Sequence, residues 1–384
     1  MRFTRFTIPK SNDLDSRFSV NLADTGSIAS QVSRAMLDAY RAGMISCFVD
    51  DEEQPTWACQ AEQYDRDEFL ANAKYPVFSE FGSPLQANSG KGKRAVYWNY
   101  ALRLDRRSFV MRQNYSNCTF CSLAEGMNLM RGFRQLGLGL SDDWKSRHGT
   151  VWYCLRGHCG NGSSLSSAAN AITRYGLQLR MSYCGGKYDF TDEDYDEKCG
   201  QKWCRSGPPD DLAKETQKAL HHTVSFERDV TADVVRDTLF NGGFIHHGSS
   251  RTGTGGSPVG GLQRIGAHAQ AVLGYDDTDE WREWYERTAG VKARPHDFPV
   301  INDNTWGPGW ISVKNWPSHL WGAYPEGAWV AWYSDMAKAI LPSSYIYLPN
   351  TDGFQPNPVD WNFLGESNEN AQTAQGVPAA TVAA

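Results

Sequence analysis

The chain has 384 residues, a net charge of −6 and a hydrophobic fraction of 40%, and it contains 14 tryptophans. This composition is typical of a packed globular protein and argues against a disordered chain. The acidic balance, without a long basic run, argues against nucleic acid as a partner. No apolar stretch reaches the roughly 18 residues that a membrane span needs, and the N-terminus lacks the apolar segment of a secretory signal.

Residues 1–95 are predicted to be an N-terminal extension of unknown role with helical character. Ser27 can cap a helix that runs to about Ala42. The last residues of the extension, Ser89–Arg94, have the glycine-rich and basic composition of a linker. We therefore expect the main folded region to begin after this linker.

The middle of the chain has the periodicity of helices. Hydrophobic residues recur at helical spacing over Leu123–Phe133, before Gly137, and again over Leu165–Ile172, before Gly176. A further short helix is predicted over Thr231–Asn241. The first of these helices begins at Cys121 in this interpretation, so that cysteine lies at a helix start.

The second half of the chain is rich in short β-prone runs that glycine and proline interrupt. These runs are Ala269–Tyr275, Phe298–Asn302, Trp310–Asn315 and Ala328–Tyr333. The glycine-rich stretch Thr252–Gly266 is interpreted as a flexible loop, since it lacks the context of a phosphate-binding loop. A helical half followed by a strand-rich half predicts an α+β fold.

Three residues have the chemistry of a nucleophile, its base and the group that orients the base, and they follow in the order Cys121, His268 and Asn304. At a helix start, the unpaired N–H groups and the helix dipole favour the ionised thiolate of Cys121. Cys118 and Cys121 together are also compatible with a redox pair, or, with Cys154 and Cys159, with a zinc knuckle.

With its neighbouring residues, this trio resembles the papain-like cysteine peptidases. The match covers Gln113–Cys121, the segment Gly266–Tyr275 that contains His268, and Asn304–Trp310, whose Asn-Thr-Trp-Gly start is similar to the family's Asn-Ser-Trp-Gly. The resemblance implies a two-lobed α+β fold over residues 96–349. In this fold a helical lobe faces a β-barrel-like lobe, and the active cleft lies between them.

The resemblance implies an endopeptidase that cleaves a peptide or protein substrate through a thioester on Cys121, without a metal or cofactor. His268 is the implied base, and Trp306 would shield its hydrogen bond to Asn304 from water. Gly162 matches a glycine whose backbone pairs with an extended substrate.

The oxyanion segment departs from the family pattern. The family places a glutamine six residues before the nucleophile, but Tyr115 occupies that position here, and Gln113 lies eight residues before Cys121. Gln113 is the candidate oxyanion donor if the inserted residues bulge out. Otherwise the backbone N–H of Cys121 acts with less help, and a missing donor costs about 10²–10³ in rate.

The resemblance also implies a set of disulfides that leaves Cys121 alone as a thiol. The pairs are Cys118–Cys159, Cys154–Cys204 and Cys184–Cys199, with Cys47–Cys59 as a local pair in the extension. Reduced thiols in a cytosolic protein are the alternative. Disulfides without a secretory signal suggest release into an oxidising medium, as for a virus particle that lyses its host, or another extracellular location.

The main alternative function is that of a structural component of a large assembly, such as a phage or virus particle, that reuses this fold with or without peptidase activity. Assembly partners would then hold residues 1–95 and the low-complexity tail, residues 350–384. A prosegment-like inhibitory role is the other hypothesis for residues 1–95.

Overall fold

The structure is a computed structural model, and it describes residues 89–96, 98–104, 117–137, 162–176, 178–191, 203, 206–216, 223–227, 230–256, 258–306, 310–325, 327–341 and 344–348. The predicted helix of residues 27–42, Gln113 and the tail of residues 350–384 lie outside this part of the chain. The hypotheses of an assembly surface and a prosegment fall on the same ends of the chain and stay hypotheses.

The described helices, in chain order, are α1 (Trp98–Leu104), α2 (Cys118–Gly132), α3 (Leu165–Tyr175), α4 (Asp210–Thr216), α5 (Ala232–Phe240), α6 (Asp279–Ala289), α7 (Ser318–Trp321) and α8 (Tyr333–Ala339). The strands are β1 (Arg94–Val96), β2 (Ser182–Tyr183), β3 (Tyr188–Asp189), β4 (Thr223–Glu227), β5 (Phe244–Gly253), β6 (Leu262–Asp276), β7 (Pro299–Asp303), β8 (Trp329–Trp332) and β9 (Ser344–Leu348). None of the described helices is long and apolar enough to cross a membrane.

One antiparallel sheet forms the second half of the fold, in the order β4-β9-β5-β6-β7-β8, with β1 added to β6. Helix α2 packs against β5 and β6, and α1 packs against α2. Helices that precede the sheet along the chain and cover it confirm the predicted α+β class. The predicted two-lobed arrangement with a cleft stays a prediction.

Helix α2 lies in the centre of the molecule, since every one of its residues is buried. A helix that is surrounded on all sides needs apolar or small residues around its whole circumference. Gly126 meets this need most tightly, because a Cβ atom there would lie 2.2 Å from the ring of Phe244 in β5. The helix continues as a π-helical turn, Phe133–Gly137.

The predictions for the two shorter helices are confirmed, and their caps explain why. Ser164 caps α3 by accepting a hydrogen bond from the Ser167 N–H, and Gly176 ends that helix with a φ of 73°. Thr231 caps α5 through the N–H of Val234. Helix α6 was not predicted, although Thr278 caps it.

Among the β-prone runs, three overlap β6, β7 and β8, but the strand predicted at Trp310–Asn315 is wrong. Within that run, only Val313 forms an isolated bridge, to Gly256. Asn315 adopts a φ of 55°, which an extended strand does not allow. The predicted loop Thr252–Gly266 is too long, because Thr252 and Gly253 belong to β5, Leu262–Gly266 belongs to β6, and Gly253 pairs with Leu262.

The predicted linker Ser89–Arg94 is instead part of the folded domain. The Gly90 N–H donates to Oδ1 of Asp237 at 2.8 Å, and the Tyr275 hydroxyl donates to the Gly90 carbonyl at 2.8 Å. Arg94 opens β1 and lies 3.5 Å from the buried carboxylate of Asp276. The folded region therefore begins before residue 96, because these backbone groups find their partners in the sheet and in α5.

Candidate active site

The structure brings two of the predicted catalytic residues together. His268 lies in β6, and Asn304 directly follows β7, the neighbouring strand. The Nε2 atom of His268 lies 2.9 Å from Oδ1 of Asn304, and both side chains are buried. The antiparallel pairing of β6 with β7 thus produces the predicted contact between imidazole and amide.

The hydrogen bonds of Asn304 define the tautomer of the imidazole. The backbone N–H of Trp306 donates to Oδ1 of Asn304 at 3.2 Å, which identifies that atom as the oxygen. An oxygen only accepts, so Nε2 of His268 must carry the hydrogen that it donates to Asn304. In the neutral ring, Nδ1 then has the lone pair and can act as the base.

Trp306 covers this pair, as the sequence predicts. Its ring stacks on the imidazole of His268 with a centroid separation of 4.4 Å and an interplanar angle of 23°. Trp306 is fully buried, and Trp310 packs edge-on against it at 5.1 Å. The hydrogen bond between His268 and Asn304 is therefore shielded from water, which strengthens it.

Helix α2 begins three residues earlier than the sequence predicts, at Cys118. Asn117 precedes it and gives no side-chain cap, but its carbonyl accepts the N–H groups of Phe120 and Cys121, both at 3.1 Å. Cys118 therefore occupies the first position of the helix, and Cys121 lies one turn further in.

The sulfur of Cys118 lies against the strand that contains the base. The backbone N–H of Ala269, the residue after His268, donates to Sγ of Cys118 at 3.2 Å. Both Cys118 and Cys121 are buried. The prediction that Cys121 is the nucleophile stays a prediction, and the structure adds Cys118 as a second candidate that sequence reasoning assigned to a disulfide.

A buried serine and histidine hold the start of α2 on the sheet. Ser122 donates its hydroxyl to the Cys118 carbonyl at 2.7 Å, and its Oγ lies 2.8 Å from Nε2 of His246 in β5. Burial, together with a smaller effect of the neighbouring His247, lowers the pKa of His246 to about 3. His246 is therefore neutral near pH 7 and acts as a structural hydrogen-bonding group.

His247 forms the corresponding contact with β7. Its Nε2 lies 3.1 Å from Oδ1 of Asn302, two residues before Asn304. Burial lowers the pKa of His247 to about 4; the hydrogen bond to Asn302 opposes that shift, and the nearby His268 adds to it. Neutral imidazoles thus connect β5 to α2 and, across the intervening strand β6, to β7.

A buried pair of carboxyl groups lies beside the candidate site, and sequence reasoning missed it. Glu125 of α2 and Asp303 of β7 are each 1% exposed, and their carboxyl groups share a hydrogen bond. Burial raises the pKa of Glu125 well above its usual range, the charge of Asp303 raises it further, and Arg180 opposes the shift. Burial also raises the pKa of Asp303 to about 7.

The carboxyl pair connects α2 to the residue that orients the imidazole. Asp303 Oδ1 accepts the backbone N–H of Asn304 at 2.7 Å. One of the two carboxyl groups carries the shared proton, since two buried carboxylates at hydrogen-bonding distance repel each other unless one is protonated. A glutamate within the apolar run of α2 was the available signal in the sequence, because buried carboxyl groups need a partner.

The disulfide predictions receive no support from the structure. No two of the described cysteines, Cys118, Cys121 and Cys184, are bonded to each other. Neither Cys118 nor Cys184 forms a disulfide, so the predicted Cys118–Cys159 and Cys184–Cys199 bonds are both wrong. The hydrogen bond with Glu215 raises the pKa of the Cys184 thiol to about 11, which keeps the sulfur protonated and unreactive near pH 7.

The other predicted members of disulfides lie outside the described residues: Cys47, Cys59, Cys154, Cys159, Cys199 and Cys204. The zinc-knuckle alternative depends on two of them and is likewise untested. Within the described ranges, no group of three or more His, Cys, Asp or Glu side chains could hold a metal ion. Gly162 is buried with a φ of 77°, and its role in substrate binding stays a prediction.

The sequence matches no protein-family profile and no curated protein. The structure is similar to solved papain-like cysteine proteases. Xylellain, a cysteine protease from Xylella fastidiosa, has 16% identity and a TM-score of 0.41, covering 63% of this chain and 83% of its own. ProCathepsin B S9 from Trypanosoma congolense has 11% identity and a TM-score of 0.37, covering 64% of this chain and 74% of its own.

A third similar structure is the proform of the Amb a 11 cysteine protease, a ragweed pollen allergen. It has 10% identity and a TM-score of 0.43, covering 91% of this chain and 78% of its own. All three TM-scores lie below 0.5.

Proposed function

We propose that this protein is a cysteine-dependent hydrolase of the papain-like type that cleaves peptide bonds. The observation that carries the proposal is the buried hydrogen bond from Nε2 of His268 to Oδ1 of Asn304. It leaves Nδ1 as the basic nitrogen, and a thiol at the start of α2 contacts the next residue of the same strand. A thiol, a base in a defined tautomer and an orienting amide are the parts that acyl transfer needs.

The reaction proceeds in two steps. Nδ1 of His268 takes the thiol proton, and the thiolate attacks the carbonyl carbon of the substrate, forming a C–S bond. The tetrahedral intermediate collapses with cleavage of the C–N bond, and the imidazolium donates its proton to the leaving amine. A water molecule then gives a proton to Nδ1 and its hydroxyl group to the thioester carbon. The C–S bond breaks, and the departing thiolate takes the proton from Nδ1, which restores the thiol and the neutral imidazole.

The surroundings of His268 suit this proton cycle. Asn304 accepts from Nε2 in the neutral ring and in the imidazolium, so the ring keeps its orientation throughout. Trp306 lies flat on the ring, and an aromatic face stabilises the positive charge that forms there. A peptide substrate in a cleft between a helical and a β-rich lobe is part of this proposal.

Hydrolysis of a fluorescently labelled, denatured protein by the full-length chain tests the proposal. Replacement of a general base typically lowers the rate by about 10²–10⁴, so we expect a loss of that size for His268→Ala. His319→Ala is the matched control, since His319 is exposed on α7. A folded wild-type protein without activity, or a His268→Ala variant with the wild-type rate, would contradict the proposal.

A further inference from the structure

Two thiols of α2 are candidates for the reacting group, and the structure distinguishes them. We propose that Cys118 is the nucleophile and that Cys121 is a structural thiol of the buried helix. This inference rests on the proposed function, because it identifies the residue that performs the first step of the proposed reaction.

The position along the helix favours Cys118. The first-turn N–H groups of an α-helix are not used by the helix itself and point towards its N-terminal end, where they stabilise a negative charge. Cys118 is the first residue of α2 and contributes one of them. The backbone N–H of Cys121 instead donates to the Asn117 carbonyl at 3.1 Å, so it already serves the helix and is not available to a thiolate or an oxyanion.

The contact with β6 also favours Cys118. The Ala269 N–H lies 3.2 Å from the Cys118 sulfur, and only two covalent bonds separate that nitrogen from the His268 Cα. The sulfur is therefore no more than about 6 Å from the Cα of the base, given bond lengths of about 1.3 and 1.5 Å. This distance is within the reach of an imidazole side chain.

The contact between the Ala269 N–H and the Cys118 sulfur lies where the pairing of β6 with β7 has ended. The pairing between β6 and β7 extends from Tyr275, opposite Val300, to Ala271, opposite Asp303. Ala269 lies beyond the end of that ladder. On its other side it pairs with Gly248 of β5, and its N–H donates to the Cys118 sulfur. A donor aimed at the sulfur stabilises the thiolate in the same way as other charge-assisted hydrogen bonds do.

The backbone of Cys118 is also held in place from the other side. Ser122 donates to the Cys118 carbonyl at 2.7 Å and contacts His246 of β5 at 2.8 Å. The first turn of α2 is thus fixed to two neighbouring strands. The Cys118 sulfur contacts β6 directly, and the Cys118 carbonyl is linked to β5 through the hydroxyl of Ser122. A fixed nucleophile loses little entropy when it attacks, which is the advantage of preorganisation.

Cys121 lacks this placement at the helix start. Three residues further along, its Cα lies about 4.5 Å deeper along the helix axis, away from the N-terminal end of the dipole. Both thiols are buried within the same hydrophobic core, so burial does not separate them. The distinction depends on the helix start and on the contact with Ala269.

Alkylation of the full-length native protein with iodoacetamide, followed by digestion and mass spectrometry, identifies the reactive thiol without any substitution. We expect Cys118 to be modified at least about tenfold faster than Cys121, because the reagent reacts with the thiolate. A parallel sample in denaturant shows that both peptides can be modified and detected. Faster modification of Cys121 in the native protein would overturn the inference.

Hydrolysis by a matched pair of variants gives the second readout. Cys118→Ala and Cys121→Ala remove the same atoms from the same buried helix, so their structural costs are comparable. We expect Cys118→Ala to lower the hydrolysis rate by at least about 10³-fold and Cys121→Ala to retain most of it. The reverse pattern would overturn the inference and leave the proposed function intact. Wild-type protein with equally slow alkylation of both thiols and no hydrolysis would remove both proposals.

Discussion

The buried carboxyl pair of Glu125 and Asp303 makes the stability of the protein depend on pH in a defined direction. Burial raises the pKa of Asp303 from 3.8 to about 7, so the folded state binds a proton that the unfolded chain has released. A group with a raised pKa in the folded state gives stability that is present at low pH and lost as the pH rises through the folded value. Because the pKa changes from 3.8 to about 7, the free energy of unfolding should decrease by an amount on the order of 4 kcal/mol between pH 4 and 7.

The isosteric variant Asp303→Asn removes this titration and keeps an oxygen that can accept the Asn304 N–H. We expect its free energy of unfolding, measured by urea denaturation at several pH values, to fall less steeply than that of the wild type between pH 4.5 and 7. The difference in slope should approach roughly 1.4 kcal/mol per pH unit. Asp279→Asn, at an exposed position in the first turn of α6, is the control. Parallel curves for the wild type and Asp303→Asn would show that Asp303 does not titrate in this pH range.

Two further substitutions test the site and its supporting helix. Asn304→Ala removes the hydrogen bond to His268, so kcat should fall about 10- to 100-fold. This decrease is equivalent to roughly 1.5–3 kcal/mol, the contribution of a hydrogen bond to a charged group. An unchanged kcat for peptide hydrolysis would contradict the orienting role of Asn304. Gly126→Ala places a Cβ atom 2.2 Å from the Phe244 ring, and overpacking of this kind should cost about 1–3 kcal/mol in thermal or urea unfolding. Phe244→Leu in the same protein should restore part of the lost stability. A Gly126→Ala protein as stable as the wild type would show that the Phe244 ring can move to accommodate the added Cβ atom.

The parts of the fold that depend on local chemistry could be predicted from the sequence. Ser164 and Thr231 accept first-turn N–H groups, and each of these caps begins a predicted helix. The start of α2 lacked such a signal, because the side chain of Asn117 makes no capping hydrogen bond. The periodicity of the apolar residues therefore suggested a helix start at Cys121, three residues too late.

The predicted pair of His268 and Asn304 was found because the order and neighbours of these residues resemble a known site. The contact of Cys118 with Ala269 could not be predicted, since it joins residues 151 positions apart and depends on where the β6–β7 ladder ends. The same pattern-matching that located Cys121 assigned Cys118 to a disulfide. With Cys118 as nucleophile, Gln113 lies five residues before it, closer to the expected spacing of six.

The location of the acyl group during turnover tests most directly whether Cys118 is the nucleophile and His268 its base. Full-length protein is mixed with an activated ester of a short peptide, stopped in acid within the first turnover, digested with pepsin and analysed by mass spectrometry. We expect a thioester on Cys118 that accumulates in the wild type and is absent from His268→Ala. An acyl group on Cys121, or turnover without any acylated cysteine, would contradict this expectation.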